Sequence, residues 1–488
     1  MTTIASAILP DSVRTPQYDR SRLASRIVHF GFGAFHRAHQ ALLTDRVLNA
    51  QGGDWGICEI SLFSGDRLMS QLRAQDHLYT VLEKGANGNQ AIVIGAVHEC
   101  LNAKLDSLTA IIEKFCEPQV AIVSLTITEK GYCIDPATGT LDLTHPRIRH
   151  DIDSPGEPHS APGILVEALS RRRERGLLPF TVLSCDNIPD NGHVVKNAVL
   201  GMAEKRDPAL AMWIREHVSF PGTMVDRIVP AATDETLDEI SRALGVADPC
   251  GISCEPFIQW VIEDRFVAGR PAWETAGVQL VTDVRPWEEM KLRMLNGSHS
   301  FLAYLGYLSG FQHISECMQD EAFREAAYQL MMREQAPTLS ITDVDLQRYA
   351  GSLIARFANP ALKHKTWQIA MDGSQKLPQR MLAGVRIHLE RGSAWPLLAL
   401  GIAGWMRYVC GVDDAGAPID VRDPLSDKIR LLVANVGENE KVANLLTLQE
   451  VFGSDLPKNP VFVQAIETAW QHLARHGAHQ AVISTLKI

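Results

Sequence analysis

Short apolar runs alternate with helical segments through the first half of this chain, and the alternation stops near residue 284. No other feature constrains the fold as strongly. Arg26–Phe30, Trp55–Leu62, Gln119–Thr126 and Phe180–Cys185 read as strands. Helical spacing fills Ala34–Leu48 and Gly163–Arg175. Strands joined through helices pair in parallel, because a parallel crossover needs a long connection. These runs lack polar alternation, as a sheet covered on both faces requires. Past the boundary the strand signal fades. Met290–Leu308, Asp320–Glu334, Asp345–Phe357, Ser393–Cys410 and Asn459–His476 read as helices. The expected fold is α/β: a doubly wound parallel sheet over residues 1–283, then a mostly α-helical domain over residues 284–488. A chain of 488 residues outgrows one core and suits two domains.

Composition removes several functional classes. Hydrophobic residues make up 46% and charged residues 21%, which are globular values. The net charge is -10, with Lys and Arg scattered, so nucleic acid is not an expected partner. No window of ~18 residues is continuously apolar, so no membrane span is expected. The start MTTIASAILPDSVRTPQYDRSR lacks a basic segment followed by an apolar core, so no signal peptide is expected. Nine dispersed cysteines suit free thiols in a reducing cytoplasm. Cys250 and Cys254 are close, but no second CxxC or HxxxH accompanies them to build a zinc site. The expected setting is cytoplasmic, and the expected assembly is a monomer or small homo-oligomer.

The first strand runs straight into Gly31-Phe32-Gly33-Ala34-Phe35-His36-Arg37. Glycines at a strand-to-helix turn let the backbone approach a pyrophosphate, and the helix start offers free N–H groups to it. Gly31, Gly33 and Phe35 are therefore candidate dinucleotide contacts in a Rossmann-type domain. The third glycine of GxGxxG is absent, since His36 stands there. Arg37 is placed to neutralise phosphate charge. Asp66, after the second strand, can accept ribose hydroxyls and would repel a 2′-phosphate, which favours NAD over NADP. Arg67 beside it pulls the other way. Glu59 is a rival acceptor unless it faces solvent. Thr128 either contacts the nicotinamide ribose or caps a helix. His36 and His39 are spaced like a metal pair but lack a third ligand, and no metal is expected.

The segment Glu288-Glu289-Met290-Lys291-Leu292-Arg293-Met294-Leu295-Asn296-Gly297-Ser298-His299 concentrates reactive groups. On an α-helix, at ~100° per residue, Asn296 and His299 fall on neighbouring faces and Lys291 lies within ~140° of both. The three can converge on one cleft, although spacing alone equally allows unrelated surface groups.

That segment, with GFGAFHRAHQ, SLTITEKGY (Ser124–Tyr132), SCDN (Ser184–Asn187), MVDRIVP (Met224–Pro230) and DGSQK (Asp372–Lys376), resembles the mannitol dehydrogenase family of long-chain polyol and hexuronate dehydrogenases. The motifs occur in the family's order and span nearly the whole chain. Trp367–Leu382 and Lys291–Leu308 are most similar to the fructuronate reductase (mannonate oxidoreductase) branch. The resemblance implies an NAD-dependent oxidoreductase acting on a secondary alcohol. It makes Lys291 the general acid/base and Asn296 and His299 the holders of the substrate oxygen. Asn187, Asp226 and Lys376 would line the substrate site, with Glu288 beside the lysine. Hydride passes to nicotinamide, so the chemistry requires no metal.

One departure bears on substrate. Mannitol-specific members carry an arginine eight residues before the DGSQK lysine, and this chain has Gln368. A sugar acid needs cationic partners, for which Lys376, Arg380, Lys365 and Arg293 are candidates. The leading expectation is fructuronate/mannonate interconversion. Mannitol 2-dehydrogenase or arabinitol dehydrogenase activity is the first alternative, and a non-catalytic dinucleotide sensor is the second.

Overall fold

A computed structural model describes residues 2–62, 64–86, 88–135 and 138–487. The chain divides into two compact units, Met1–Arg285 and Pro286–Ile488.

Among the described residues the first unit contains eleven strands: β1 (Ala24–Phe30), β2 (Trp55–Ser61), β3 (Tyr79–Gly85), β4 (Gly88–Ile94), β5 (Val97–Asn102), β6 (Ile122–Leu125), β7 (Thr181–Ser184), β8 (Thr223–Asp226), β9 (Ile252–Cys254), β10 (Gln259–Glu263) and β11 (Gln279–Val281). Five form a parallel sheet in the order β5-β2-β1-β6-β7. Its faces are both apolar. Ile27 packs into one core while Val28 and Phe30 pack into the other. Each such side chain, fully buried, contributes about 1.5–3 kcal/mol of transfer free energy.

Register explains why this sheet can build a site. Phe30 pairs with Ile60 and with Leu125, and Leu125 pairs with Ser184. The carboxyl ends of β1, β2, β6 and β7 are therefore level. The chain order reverses at β1, which makes this edge the topological switch point where open α/β sheets bind ligands.

Two smaller sheets, β4-β3-β9 and β11-β10-β8, stand outside the expected pattern. β3 and β4 pair as sequence neighbours, with Gly85 opposite Gly88, but the pairings that complete the two sheets join distant segments, such as Leu82 with Ser253 and Met224 with Val261, which local periodicity could not announce. The helix expected over Ala34–Leu48 is interrupted at His39, whose φ/ψ of -123°/-92° is not helical. Its buried ring bonds the Gln259 carbonyl at 2.9 Å, which holds it in that conformation.

The second unit is helical, with a core containing Phe301, Leu305, Trp405, Phe452, Phe462 and Trp470. The helix Ser298–Leu308 is buried on every side except at Tyr307. A helix apolar all round is an interior element, so residues at its start are held by a rigid post.

Candidate active site

The glycine turn leaves β1 at the switch point. Gly31 has φ +103°, and a Cβ there would lie 2.5 Å from the Thr126 carbonyl oxygen. Only glycine fits that approach of two strand ends. Gly33 differs. It is exposed at φ -76°, and the nearest atom to an added Cβ is the Gly31 carbonyl oxygen at 4.0 Å. The fold leaves open space above Gly33, which is the cradle a pyrophosphate needs. Phe35 is half-buried and stacks on His39 with centroids 4.8 Å apart.

The loop is braced from below by groups that sequence reasoning passed over. His29 sits fully buried in β1, with Nδ1 2.7 Å from Ser124 Oγ. Its Nε2 lies 2.9 Å from Thr126 Oγ1 and 3.1 Å from the Gly31 carbonyl oxygen. Ser124 Oγ donates to Gln40 Oε1 at 2.8 Å. One chain of contacts thus ties the turn to the neighbouring strand and to the following helix. The signal was a histidine inside the apolar end of the strand, Ile27–Phe30. Burial holds the His29 imidazole well below its usual pKa, so it is neutral.

Arg37 belongs to this brace. It is buried, donating to the Cys250 carbonyl at 2.5 Å and the Gly33 carbonyl at 3.3 Å, with its guanidinium over the Phe32 ring. The expected phosphate contact is replaced by internal bonds that shape the loop. Glu59 is likewise no ribose acceptor and does not face solvent. It is fully buried and bonded to His36 Nε2 at 2.6 Å. His29, His36 and Glu59 come close enough to suggest a metal site. The two imidazoles, however, stack face to face at 3.4 Å and 13°. Their in-plane lone pairs run side by side and do not converge on one ion, so the geometry is that of a hydrogen-bonded network.

Asp66 lies at the exposed start of the helix Asp66–Ala74, paired with Lys104 at 3.0 Å. Thr128 is exposed at φ +63° and caps nothing with its side chain. Its backbone N–H donates to Asp186 at 2.8 Å. Asp186 also accepts from the Ile127 N–H and the Tyr132 hydroxyl, at 3.1 and 2.6 Å. It therefore anchors the loop after β6 to the end of β7. Asn187 follows it, exposed, and Asp226 is buried at the end of β8.

In the second unit, Lys291–Gly297 forms a π-helical turn between the α-helices Arg285–Met290 and Ser298–Leu308. Widened turns recur at functional sites. Bonding from i to i+5 brings residues five apart nearly into line, so Lys291 and Asn296 share a face more closely than an α-helix allows. A Cβ on Gly297 would lie 2.6 Å from Gln335 Nε2 and 2.7 Å from the Arg380 carbonyl oxygen, so this turn is packed tightly in place. Lys291 is 6% exposed. Asn296 is half-buried, and its side-chain amide has no hydrogen-bonding partner among the described residues. His299 is buried between Phe357, stacked at 4.9 Å, and His364, edge-on at 4.6 Å. Its Nε2 has no partner among the described residues. Burial first, then His364, Arg380, Arg356 and Lys376, hold its pKa well below the usual range. The ring is neutral and has a polar atom to offer a ligand. Glu288 lies in the helix just before the turn. Lys376 is half-buried and donates to the Met371 carbonyl at 2.5 Å.

The strand order and the open glycine cradle define a dinucleotide-binding dehydrogenase fold. The mannitol dehydrogenase Rossmann domain matches residues 25–275, and the mannitol dehydrogenase C-terminal domain matches residues 283–474. An uncharacterized oxidoreductase of Escherichia coli (strain K12), YeiQ, is 81% identical over 488 residues, covering 100% of both chains. D-mannonate oxidoreductase of the same strain is 57% identical over 485 residues, covering 99% of each. A solved ternary complex of Pseudomonas fluorescens mannitol 2-dehydrogenase with NAD and D-mannitol is similar at TM-score 0.85 and 39% identity, covering 98% of each chain. The chain belongs to the mannitol dehydrogenase family and is an oxidoreductase of secondary alcohols. Among the described residues, no helix is long and apolar enough to cross a membrane.

Proposed function

We propose that this protein interconverts fructuronate and mannonate with NAD, using Lys291 as general acid/base. The carrying observation is the π-helical turn that aligns buried Lys291 with Asn296, next to a neutral His299 whose Nε2 lacks a partner among the described residues. In the oxidative direction Lys291 takes the hydroxyl proton. Asn296 and His299 donate to the oxygen as it gains charge, which lowers the barrier because these dipoles are already oriented. In reduction the lysine returns the proton. Asn187, Asp226, Glu288 and Lys376 are assigned to the substrate. NAD, when bound, supplies the hydride acceptor. Gly31, Gly33 and Phe35 would hold it, Thr128 would approach its ribose near the nicotinamide, and Asp66 would accept the adenosine ribose hydroxyls.

The 57% identity to D-mannonate oxidoreductase favours the sugar acid. Gln368 in place of an arginine agrees with it. The second reading, a polyol dehydrogenase, is favoured by the structural likeness to a mannitol complex. A substrate panel with NADH and NADPH separates them. Fructuronate with NADH should exceed fructose by a wide margin in kcat/KM, and the reverse order would overturn the assignment. Activity should survive EDTA. Inhibition reversed by added zinc would contradict a metal-free mechanism.

A further inference from the structure

Resting on the sugar-acid reading, we propose that Arg380, backed by Lys376, recognises the substrate carboxylate and separates sugar acids from neutral polyols. Sequence alone left four cations open for this task, and their surroundings in the second unit distinguish them. Arg293 is buried and engaged, donating to the Thr338 carbonyl at 2.5 Å with Glu289 at 3.7 Å. Lys365 is exposed, with its ammonium 6.0 Å from the Trp367 ring centroid. Neither needs a ligand.

Arg380 is different. Its hydrogen bonds to the described residues run from Nη1 alone, to Ser300 Oγ at 3.0 Å and the Asn296 carbonyl at 3.3 Å. Both acceptors are neutral. Nε and Nη2 have no partner among the described residues, and neither Arg380 nor Lys376 has an ion pair there. Lys376, four residues earlier, donates to the Ile369 and Met371 carbonyls. Two half-buried cations thus stand together with no carboxylate in ion-pair contact among the described residues, while Asp372 and Asp423 act on the Lys376 ammonium from farther off. Burial pushes the guanidinium down to about 10 and the ammonium to about 8. Cations without a close counter-ion in such surroundings are costly, and an anion relieves that cost. A guanidinium fork with two donors free matches a carboxylate in shape. The position also fits the chemistry. Arg380 is bonded to Asn296 and Ser300, which flank His299, so it is fixed to the segment that holds the reacting oxygen.

The test is a ratio. Arg380→Gln should raise KM for fructuronate roughly 10- to 100-fold, the range of a charge-assisted hydrogen bond. The kcat/KM preference for fructuronate over fructose should fall by the same factor, and Arg380→Lys should recover part of it. A residue that only braces the Asn296 turn would lower both substrates alike, so an unchanged ratio overturns the proposal. If the variants fail to fold, as read by Tm, the unaltered protein decides. It should oxidise mannonate at least tenfold better in kcat/KM than the neutral mannonamide, and equal rates sink the idea. Wild-type preference for fructose over fructuronate would instead remove the underlying sugar-acid reading.

Discussion

Gly33 and Arg380 prepare for ligands by opposite means. Gly33 offers empty space, with an added Cβ meeting nothing nearer than 4.0 Å. Arg380 offers charge without a counter-ion among the described residues. The first unit works through backbone, because a pyrophosphate asks mainly for N–H groups and close approach. The second works through side chains, because telling one small polyol from another depends on where a few charges and hydrogen bonds lie. The first site can therefore be shared across a large family of folds, while the second must be specific to its substrate.

Four experiments strain this contrast. Lys291→Ala should cut turnover by about 10²–10⁴ while NADH still binds, since general acid/base catalysis contributes that much. Undiminished kcat, or lost NADH binding, would show that chemistry and cofactor binding do not divide as described. The two glycines come next. Gly31→Ala forces a side chain into positive φ against Thr126 and should cost about 1–3 kcal/mol in denaturant unfolding. Gly33→Ala should change stability by less than about 0.5 kcal/mol and weaken NADH binding. If both variants unfold alike, the open cradle is not what the geometry suggests.

The third concerns pH. Lys376 has its pKa pushed down to about 8 by burial and by Arg380. Its charge is present below that pH and lost above it. The kcat/KM for fructuronate relative to fructose should decline by roughly tenfold as the ammonium loses its proton, the worth of one charge-assisted bond. Titration of a shared base cancels in that ratio, so a flat profile would exclude Lys376 from carboxylate recognition. The smallest effect is expected at Asp66→Asn, which should narrow the NADH over NADPH preference. No change would move ribose recognition elsewhere, since Asp66 already pairs with Lys104 at 3.0 Å.

Much of the first unit was legible because its signals are local. The strands at Arg26 and Phe180, and the turn at Gly31, announce themselves through residue type and apolar period within a few residues, although their sheet partners lie far along the chain. The small sheets were not legible as sheets, because their short strands such as Ile252–Cys254 carry little pattern of their own and Leu82 meets Ser253 only after the chain has folded. Arg37 and Glu59 show the same limit at the site. Each is a charged residue near a phosphate-binding turn, and each reads as a ligand contact. Both are buried instead, one on carbonyls and one on His36. A charge next to a motif does not say which way it faces.

The sequence by itself determined the α/β class, the glycine turn, and a lysine, amide and imidazole within nine residues of one segment. Those properties are written in hydrophobic period and residue type, which need no distant partner. The tertiary structure alone decided the alignment of that segment and the roles of the cations. The π-helical turn that brings Asn296 toward Lys291 has no counterpart in an α-helical period. Arg293 and Arg380 look alike in sequence. Thr338 satisfies one of them, and Arg380 keeps donors free for a ligand. Satisfaction of a buried charge depends on what the folded chain places around it, and that is set by contacts far apart in sequence.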